Sequence, residues 1–382
     1  MALDLPPEGL RVVGRNGSGK TTLLEAIELV STTRPRRGAN DGDLIAYDSG
    51  TGLGVQPYAR VVVDVARDGA NARVEVFVQR TERRNATKKL MRIGERPRRA
   101  GDVVGLVPTV SFTPDDLELV LGAPSTRRRF LDIFLSQVDR RYLRTLSRFA
   151  KILAQRNGLL RTAADAEPGA VNDQLAYWDE QLVGLGAYVI AARVRALGQI
   201  SVEATRRFRE LSPDAGTLSV TYTPTIQQSD AWWQHVRDSE DVGDAAQSIG
   251  AEYERQLRLG RLVEFARGVT LLGPHRDDIT FMLNDRVLSR FGSRGQQRIA
   301  VMATKMAEFD LATRFIGMRP VLLLDDVLSE LDPIHREALL TQVGTGGGQL
   351  FVTATERALV ERPELARLPI IELRSGGTID IT

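Results

Sequence analysis

The hydrophobic rhythm of the chain changes several times. Leu10 to Val13 is a short, mostly apolar run ending in glycine, and Thr21 to Val30 reads as a helix, which predicts strand, glycine-rich loop, helix. Tyr58 to Val65 and Arg73 to Arg80 alternate apolar and polar residues as antiparallel strands do, with Asp68-Gly69 as the turn signal between them. From Arg128 to Leu160 the spacing becomes helical: Phe130, Phe134, Tyr142, Phe149 and Leu153 fall opposite an arginine-rich face. A second helical stretch covers about Gln174 to Leu211, a strand Leu218 to Thr223, and a further helix Ala245 to Leu262. Gly and Pro interrupt this insert too often for one long coiled coil, so it predicts a compact helical arm. After Gly273 an α/β pattern returns, with apolar strands at Val321 to Leu324 and Leu350 to Thr353. The fold expected is α/β, with residues 1–120 and 269–382 as two halves of one head and 121–268 as a mostly helical insert.

Composition narrows the class. The chain has 382 residues, 42% of them hydrophobic and 26% charged, as in an ordinary globular protein with a sizeable core. No apolar run is long enough to span a membrane, and the first ten residues lack the layout of a secretory signal. With no cysteine, disulfides, thiolate metal sites and cysteine nucleophiles are excluded, and a reducing cytoplasm fits. The net charge is only +2, yet basic residues concentrate between Arg80 and Arg99 and between Arg127 and Arg161. Solvated faces explain either block as well as a polyanion partner does.

Gly14-Arg15-Asn16-Gly17-Ser18-Gly19-Lys20-Thr21 matches GxxxxGK[ST] at every required position. The glycines let backbone N–H groups curl around a β-phosphate at the positive end of the following helix, where Thr22 continues the first turn. Lys20 is placed to bridge the β- and γ-phosphates of ATP, and the Thr21 hydroxyl to hold Mg²⁺. Val321 to Leu324 is an apolar strand that delivers Asp325 to the same metal, the Walker B role. Asp326 stands where a glutamate commonly orients the attacking water. Its shorter side chain predicts slow hydrolysis.

Ser293-Arg294-Gly295-Gln296-Gln297 has the core of an ABC signature, followed by a helix from Arg298. Ser329-Glu330-Leu331-Asp332 follows Walker B at D-loop spacing. Ser293 to Gln297 alone reads more simply as a polar loop before a helix; its position upstream of Walker B reverses that. The resemblance to ABC ATPases implies that Ser293, Gly295 and Gln296 complete the site of a second subunit, and that Ser329 and Asp332 lie where two heads meet. An ATP-induced homodimer follows.

The long insert between P-loop and signature resembles the plan of SMC-like and RecF-like proteins. Six stretches narrow the resemblance to the RecF family: Leu24-Glu25-Ala26-Ile27, Phe112-Thr113-Pro114-Asp115-Asp116-Leu117, Arg128-Arg129-Phe130-Leu131-Asp132, Gln155-Arg156-Asn157, Gly273-Pro274-His275-Arg276-Asp277-Asp278, and Leu323 to Asp332. They occur in the family's order over most of the chain. The resemblance implies an ABC-type head with an inserted arm, and a weak, DNA-stimulated ATPase with ATP and Mg²⁺ as cofactors. It further implies sequence-independent binding of gapped or double-stranded DNA at the nucleoid. Repair, recombination, replication restart and the SOS response are the implied setting, with RecR as partner and RecO and RecA reached indirectly. A divergent paralogue outside RecA loading is the alternative.

Departures are few. The family's strand and Asn-Phe-Arg segment ahead of the P-loop have no counterpart, implying a shortened start, and Thr22 replaces the usual asparagine. Thr355 stands at the switch-histidine position of transporter heads, which again predicts slow turnover. The DNA contacts expected are Lys88, Lys89, Arg127, Arg128 and Arg129. His275 has no spaced metal partners and reads as an anchor, with Arg276 as a DNA or γ-phosphate contact; Trp232-Trp233 reads as packing between helices.

Overall fold

Strand β11 (Leu350–Ala354) is buried at all five positions, as the central strand of a covered parallel sheet must be. Around it, in this computed structural model, lie β1 (Gly9–Val13) and β10 (Val321–Asp325), both parallel to it. The sheet extends through β6 (Thr109–Phe112) on one side and β12 (Ile370–Leu373) and β13 (Ile379–Ile381) on the other, in the order β13-β12-β1-β11-β10-β6. Only β12 and β13 pair antiparallel. The structure describes residues 2–36, 40–50, 54–67, 69–81, 86–163, 168–344, 347–374 and 379–381. Asp68 of the expected turn, and Arg83 and Arg84 of the first basic block, lie outside these.

A second sheet is an antiparallel ladder of β2 (Tyr58–Arg67), β3 (Ala70–Arg80), β4 (Thr87–Ile93) and β5 (Arg96–Arg98). The P-loop helix Lys20–Thr32 serves both sheets. Leu24 and Ile27 pack with Leu10, Val12, Leu323 and Phe351, whereas Leu29 and Val30 pack with Val74 and Val76 of β3. One amphipathic element therefore joins two cores, with period 3.6 in the helix meeting period 2 in the strands. These parts form one compact unit, residues 1–116 with 312–382.

The other unit is residues 117–311. Residues 269–311, which the sequence groups with the C-terminal half of the head, group here with the insert. The reason is strand pairing: β7 (Leu218–Thr223) is antiparallel to β8 (Asp278–Leu283), which also pairs with β9 (Arg286–Val287). The single helical stretch expected from Arg128 to Leu160 is two helices, Pro124–Val138 and Arg140–Ala163. Asp139 divides them, its carboxylate accepting the N–H groups of Arg141 and Tyr142 as an N-cap does.

The longest helix, Pro168–Leu211, runs 44 residues through glycines, Gly184, Gly186 and Gly198 among them, that the sequence reads as interruptions. Two of them are packing devices. A Cβ on Gly186 would stand 2.8 Å from the Tyr253 ring and 3.1 Å from Phe149, and one on Gly198 would stand 2.9 Å from Arg237. Neighbours approach the backbone there, and that contact offsets the low helix propensity of glycine. Trp232 and Trp233, in edge-on contact at 4.7 Å, pack against this core. No described helix is long and apolar enough to cross a membrane.

Candidate functional site: a P-loop facing an aspartate pair

The P-loop leaves β1 at Gly14, where a side chain would strike the Leu373 carbonyl oxygen at 2.5 Å. Gly17 and Gly19 have φ of 78° and 100°, a region L-residues rarely adopt, and that curl opens the loop around the helix N-terminus. The first-turn N–H groups of Lys20, Thr21 and Thr22 have no intrahelical acceptor and face outward as an anion cradle. Arg15, Asn16, Gly17 and Thr22 are exposed; Ser18 and Lys20 are buried. Lys20 Nζ donates to the carbonyl oxygens of Gly14 at 2.8 Å and Arg15 at 3.2 Å. The Ser18 hydroxyl is buried without a partner.

Because β11 lies beside β10, a residue of β11 can reach the acids at the end of β10. Thr353 does so for the pair: its hydroxyl donates to Asp325 Oδ1 at 3.0 Å and accepts the Asp326 N–H at 2.9 Å. Thr21 Oγ1 donates to the same Asp325 oxygen at 3.1 Å. The hydroxyl of Thr21 and the carboxylate of Asp325 are hard oxygen donors brought together from opposite ends of the chain, and they suit Mg²⁺, which takes few protein ligands and shares phosphates. No group of three or more His, Cys, Asp or Glu residues able to hold a metal occurs among the described residues, so such an ion belongs with the nucleotide's own oxygens.

Asp326 is held at φ 54°, the left-handed region, at the start of the short helix Val327–Glu330. A non-glycine residue there carries backbone strain, with Asp and Asn the best tolerated. The strain aims the side chain. Burial raises the Asp326 carboxyl pKa; Lys20 opposes the shift, Asp325 adds to it, and an N–H donated by Thr355 also opposes it. Asp326 Oδ1 is buried with no hydrogen-bond partner. Thr355 therefore acts here through its main chain.

A residue that sequence reasoning missed completes the site. Arg36 Nη1 donates to Asp325 Oδ2 at 2.7 Å and Nε to Glu28 Oε2 at 2.5 Å. Burial opposes its charge, but Glu28 and then Asp325 raise its pKa overall. Nothing in the run Arg34-Pro35-Arg36 marks the second arginine; only the return of the chain past β10 does.

In the other unit Ser293 caps the helix Arg294–Ile316. Its hydroxyl accepts the Gln296 N–H at 3.2 Å, and the Gln296 side chain accepts the Ser293 N–H at 2.9 Å, a reciprocal capping box. Ser293 and Gly295 remain exposed, and a Cβ on Gly295 would meet only Ser293 Oγ, at 3.9 Å. In the D-loop, Ser329 Oγ donates to the Asp326 carbonyl at 2.7 Å, while Asp332 accepts the N–H groups of Ile334 and His335. Both ends of the D-loop thus fix local backbone.

The expected DNA contacts divide. Arg127 forms a two-point pair with Asp278 at 2.7 and 2.9 Å, and Lys89 donates to Asp41 and to the Thr33 carbonyl. Lys88 is exposed, Arg129 is half-buried, and Arg128 gives one N–H to the Asp277 carbonyl at 2.7 Å.

Residues 1–369 match the family described as the RecF/RecN/SMC N terminal domain. The chain is 42% identical over 374 residues to the DNA replication and repair protein RecF of Thermomicrobium roseum, covering 98% of this chain and 94% of that one. It is 42% identical over 361 residues to the RecF of Chloroflexus aurantiacus, covering 93% and 89%. Among solved structures, the recombination mediator protein RecF with ATP, of the RecFOR pathway, superimposes with a TM-score of 0.83 at 27% identity, covering 100% of this chain and 93% of that one. The Smc head domain of Pyrococcus furiosus shares the fold alone, at TM-score 0.50 and 13% identity over 100% of this chain and 91% of that one.

Proposed function

The chain belongs to the RecF family of SMC-like ATPases, and we propose on that premise that it is an ATP-driven DNA clamp with slow turnover. The observation that carries this reading is the meeting of Thr21, Asp325 and Asp326 beneath the P-loop lysine. ATP binds with its phosphates on the N–H groups from Gly17 to Thr22 and on Lys20. Thr21 and Asp325 would hold Mg²⁺, which would neutralise phosphate charge. Asp326 orients the attacking water from its strained position. Its short side chain and the absence of a protonatable group at Thr355 keep hydrolysis slow.

Exposed Ser293 and Gly295, with half-buried Gln296 beside them at a helix N-terminus, suit the phosphates held by a second copy, so two heads close around two nucleotides. Ser329 and Asp332 shape the loop that meets the partner. As a functional division the head draws on 1–120 and 269–382, although 269–311 pack with the insert, and the insert 121–268 widens the DNA-facing surface. Lys88, Arg128 and Arg129 supply phosphate contacts; Arg127 and Lys89 stiffen those surfaces through their ion pairs. Binding is then sequence-independent and salt-sensitive, directed to gapped or duplex DNA. The named relatives support a role in the RecFOR pathway, with RecR as the direct partner and RecA loading as the outcome.

The test is mass in solution with and without ATP and Mg²⁺. Doubling of the mass in the wild type, its loss in Lys20→Met and its persistence in Asp326→Asn support the clamp. A mass that stays monomeric while ATP binds removes the dimer and the role of Ser293.

A further inference from the structure

The loop from Gly273 to Asp278 belongs to neither the nucleotide site nor the signature, yet it is among the most firmly held in its unit. Buried Asp277 accepts the backbone N–H and hydroxyl of Thr225, both at 2.7 Å, and the Tyr222 hydroxyl at 2.7 Å. The Pro274 carbonyl accepts from Arg193 at 2.6 Å, and Asp278 is clamped by Arg127. What this loop presents, it presents from a fixed backbone.

Beside it lies a cavity of about 420 Å³ whose walls include Ser125, Arg128, Asn157, Thr270, His275 and Arg276. Its chemistry is one-sided. No carboxylate lines it, and among the described residues neither Arg128 nor Arg276 makes a salt bridge. Each gives one N–H to a main-chain carbonyl, Arg128 to Asp277 and Arg276 to Thr270. A guanidinium fork has five N–H donors, so both keep several in reserve. The contrast within the unit is sharp, because Arg156 and Arg193 sit directly against carboxylates.

A half-buried cation with no direct salt bridge is unfavourable: burial, followed by the nearby Arg193, lowers the Arg128 pKa, and the more distant Asp278 and Asp132 only partly oppose the shift. Ser125, at the second position of the helix Pro124–Val138, adds a hydroxyl and an N–H at the positive helix end. The Asn157 side-chain oxygen accepts both the N–H and the hydroxyl of Thr270, which fixes the far wall. His275 adds no charge, since burial pushes its pKa down to about 4. With Nε2 against the Thr270 carbonyl, its buried Nδ1 is an unpartnered acceptor that a water carried with a ligand can meet.

We propose that this cavity is a phosphate-binding site, with Arg128, Arg276 and Ser125 as donors, and that its occupant is a backbone phosphodiester of bound DNA. The identity of the source rests on the DNA-clamp reading; the anion site does not. The volume accommodates a phosphodiester with its flanking sugar. Free phosphate offers the same chemistry, so the experiment separates the two.

Full-length protein with ATP and Mg²⁺ is titrated with a labelled duplex between about 50 and 200 mM NaCl. Wild type is compared with Arg276→Ala, Arg276→Lys and Ser125→Glu. The glutamate places a carboxylate in the cavity while favouring the helix N-terminus, so it lowers anion affinity without unfolding the unit. Expected are a loss of about tenfold in DNA affinity and a salt slope shallower by about 1 for Arg276→Ala and Ser125→Glu. Arg276→Lys recovers most of the affinity, and nucleotide binding and melting temperature stay at wild-type values. Unchanged affinity and slope in both weakened variants overturn the DNA assignment. If wild type binds no DNA, the clamp reading fails separately, and inorganic phosphate decides the site. A rise in wild-type melting temperature that is lost in Ser125→Glu keeps the site for free phosphate, and no rise overturns it.

Discussion

Arg156 and Lys20 are both buried cations, one in each unit, and their surroundings differ in kind. Every arm of the Arg156 guanidinium is committed: Nε to Asp179 at 2.7 Å, Nη1 to Thr270 at 2.7 Å, Nη2 to Glu264 at 2.6 Å. Lys20 has only two main-chain carbonyls, and close by the Ser18 hydroxyl and Asp326 Oδ1 are buried without partners. A buried polar group that is fully satisfied belongs to the architecture. One left short of partners marks where another molecule's atoms fit. Arg36 stands between these cases, paired with Glu28 and Asp325 but within the site.

The comparison breaks most visibly at Arg156. Arg156→Ala leaves buried Glu264 without its counter-ion and Asp179 with Arg261 alone, and urea unfolding is expected to show a loss of about 3–5 kcal/mol. A loss below about 1 kcal/mol would mean that the network is dispensable.

His275 tests the same unit through pH. Its folded pKa is about 4 against an ordinary 6.5, so the unfolded chain binds the proton more readily. Stability is therefore complete above about pH 6.5 and falls as pH drops toward 4, by at most ~3 kcal/mol. His275→Gln is expected to flatten that part of a melting-temperature profile; a profile of unchanged slope would assign the acid sensitivity elsewhere.

A smaller effect is expected where the two kinds of site touch. Thr353→Val removes the hydroxyl shared by Asp325 and the Asp326 N–H, which is worth about 1–3 kcal/mol of stability and also loosens the aspartate pair. Nucleotide affinity should fall along with it. Retained affinity at reduced stability would make Thr353 purely architectural.

Lys20→Met is expected to change stability least, about 1 kcal/mol without nucleotide. Its consequence lies in the ligand: wild type gains about 2.7 kcal/mol at an ATP concentration of 100 Kd, and the variant gains none. Equal stabilisation by ATP in both would remove Lys20 from the site.

Much of the nucleotide site is legible along the chain because its parts are local. A glycine-rich turn between a strand and a helix, and an apolar strand ending in acids, announce themselves within ten residues. The signature helix, expected from Arg298, starts instead at Arg294, because the Ser293–Gln296 capping box closes within four residues, a local signal missed in the sequence. Asp139 carried an equally local signal, an aspartate ahead of two arginines, that the apolar periodicity on both sides concealed.

By itself, then, the sequence determined the family and the α/β head with its helical insert, and it singled out Lys20, Thr21, Asp325 and Asp326 as candidate site residues. Tertiary structure alone decided which charges are spent internally. Arg127 finds Asp278 across 151 positions of chain, Arg36 finds Asp325 across 289, and Thr353 reaches Asp325 only through the register of β10 on β11. A run of arginines shows how much positive charge is present. Which members face a carboxylate depends on strands and helices returning from far along the chain, and no local pattern encodes that return.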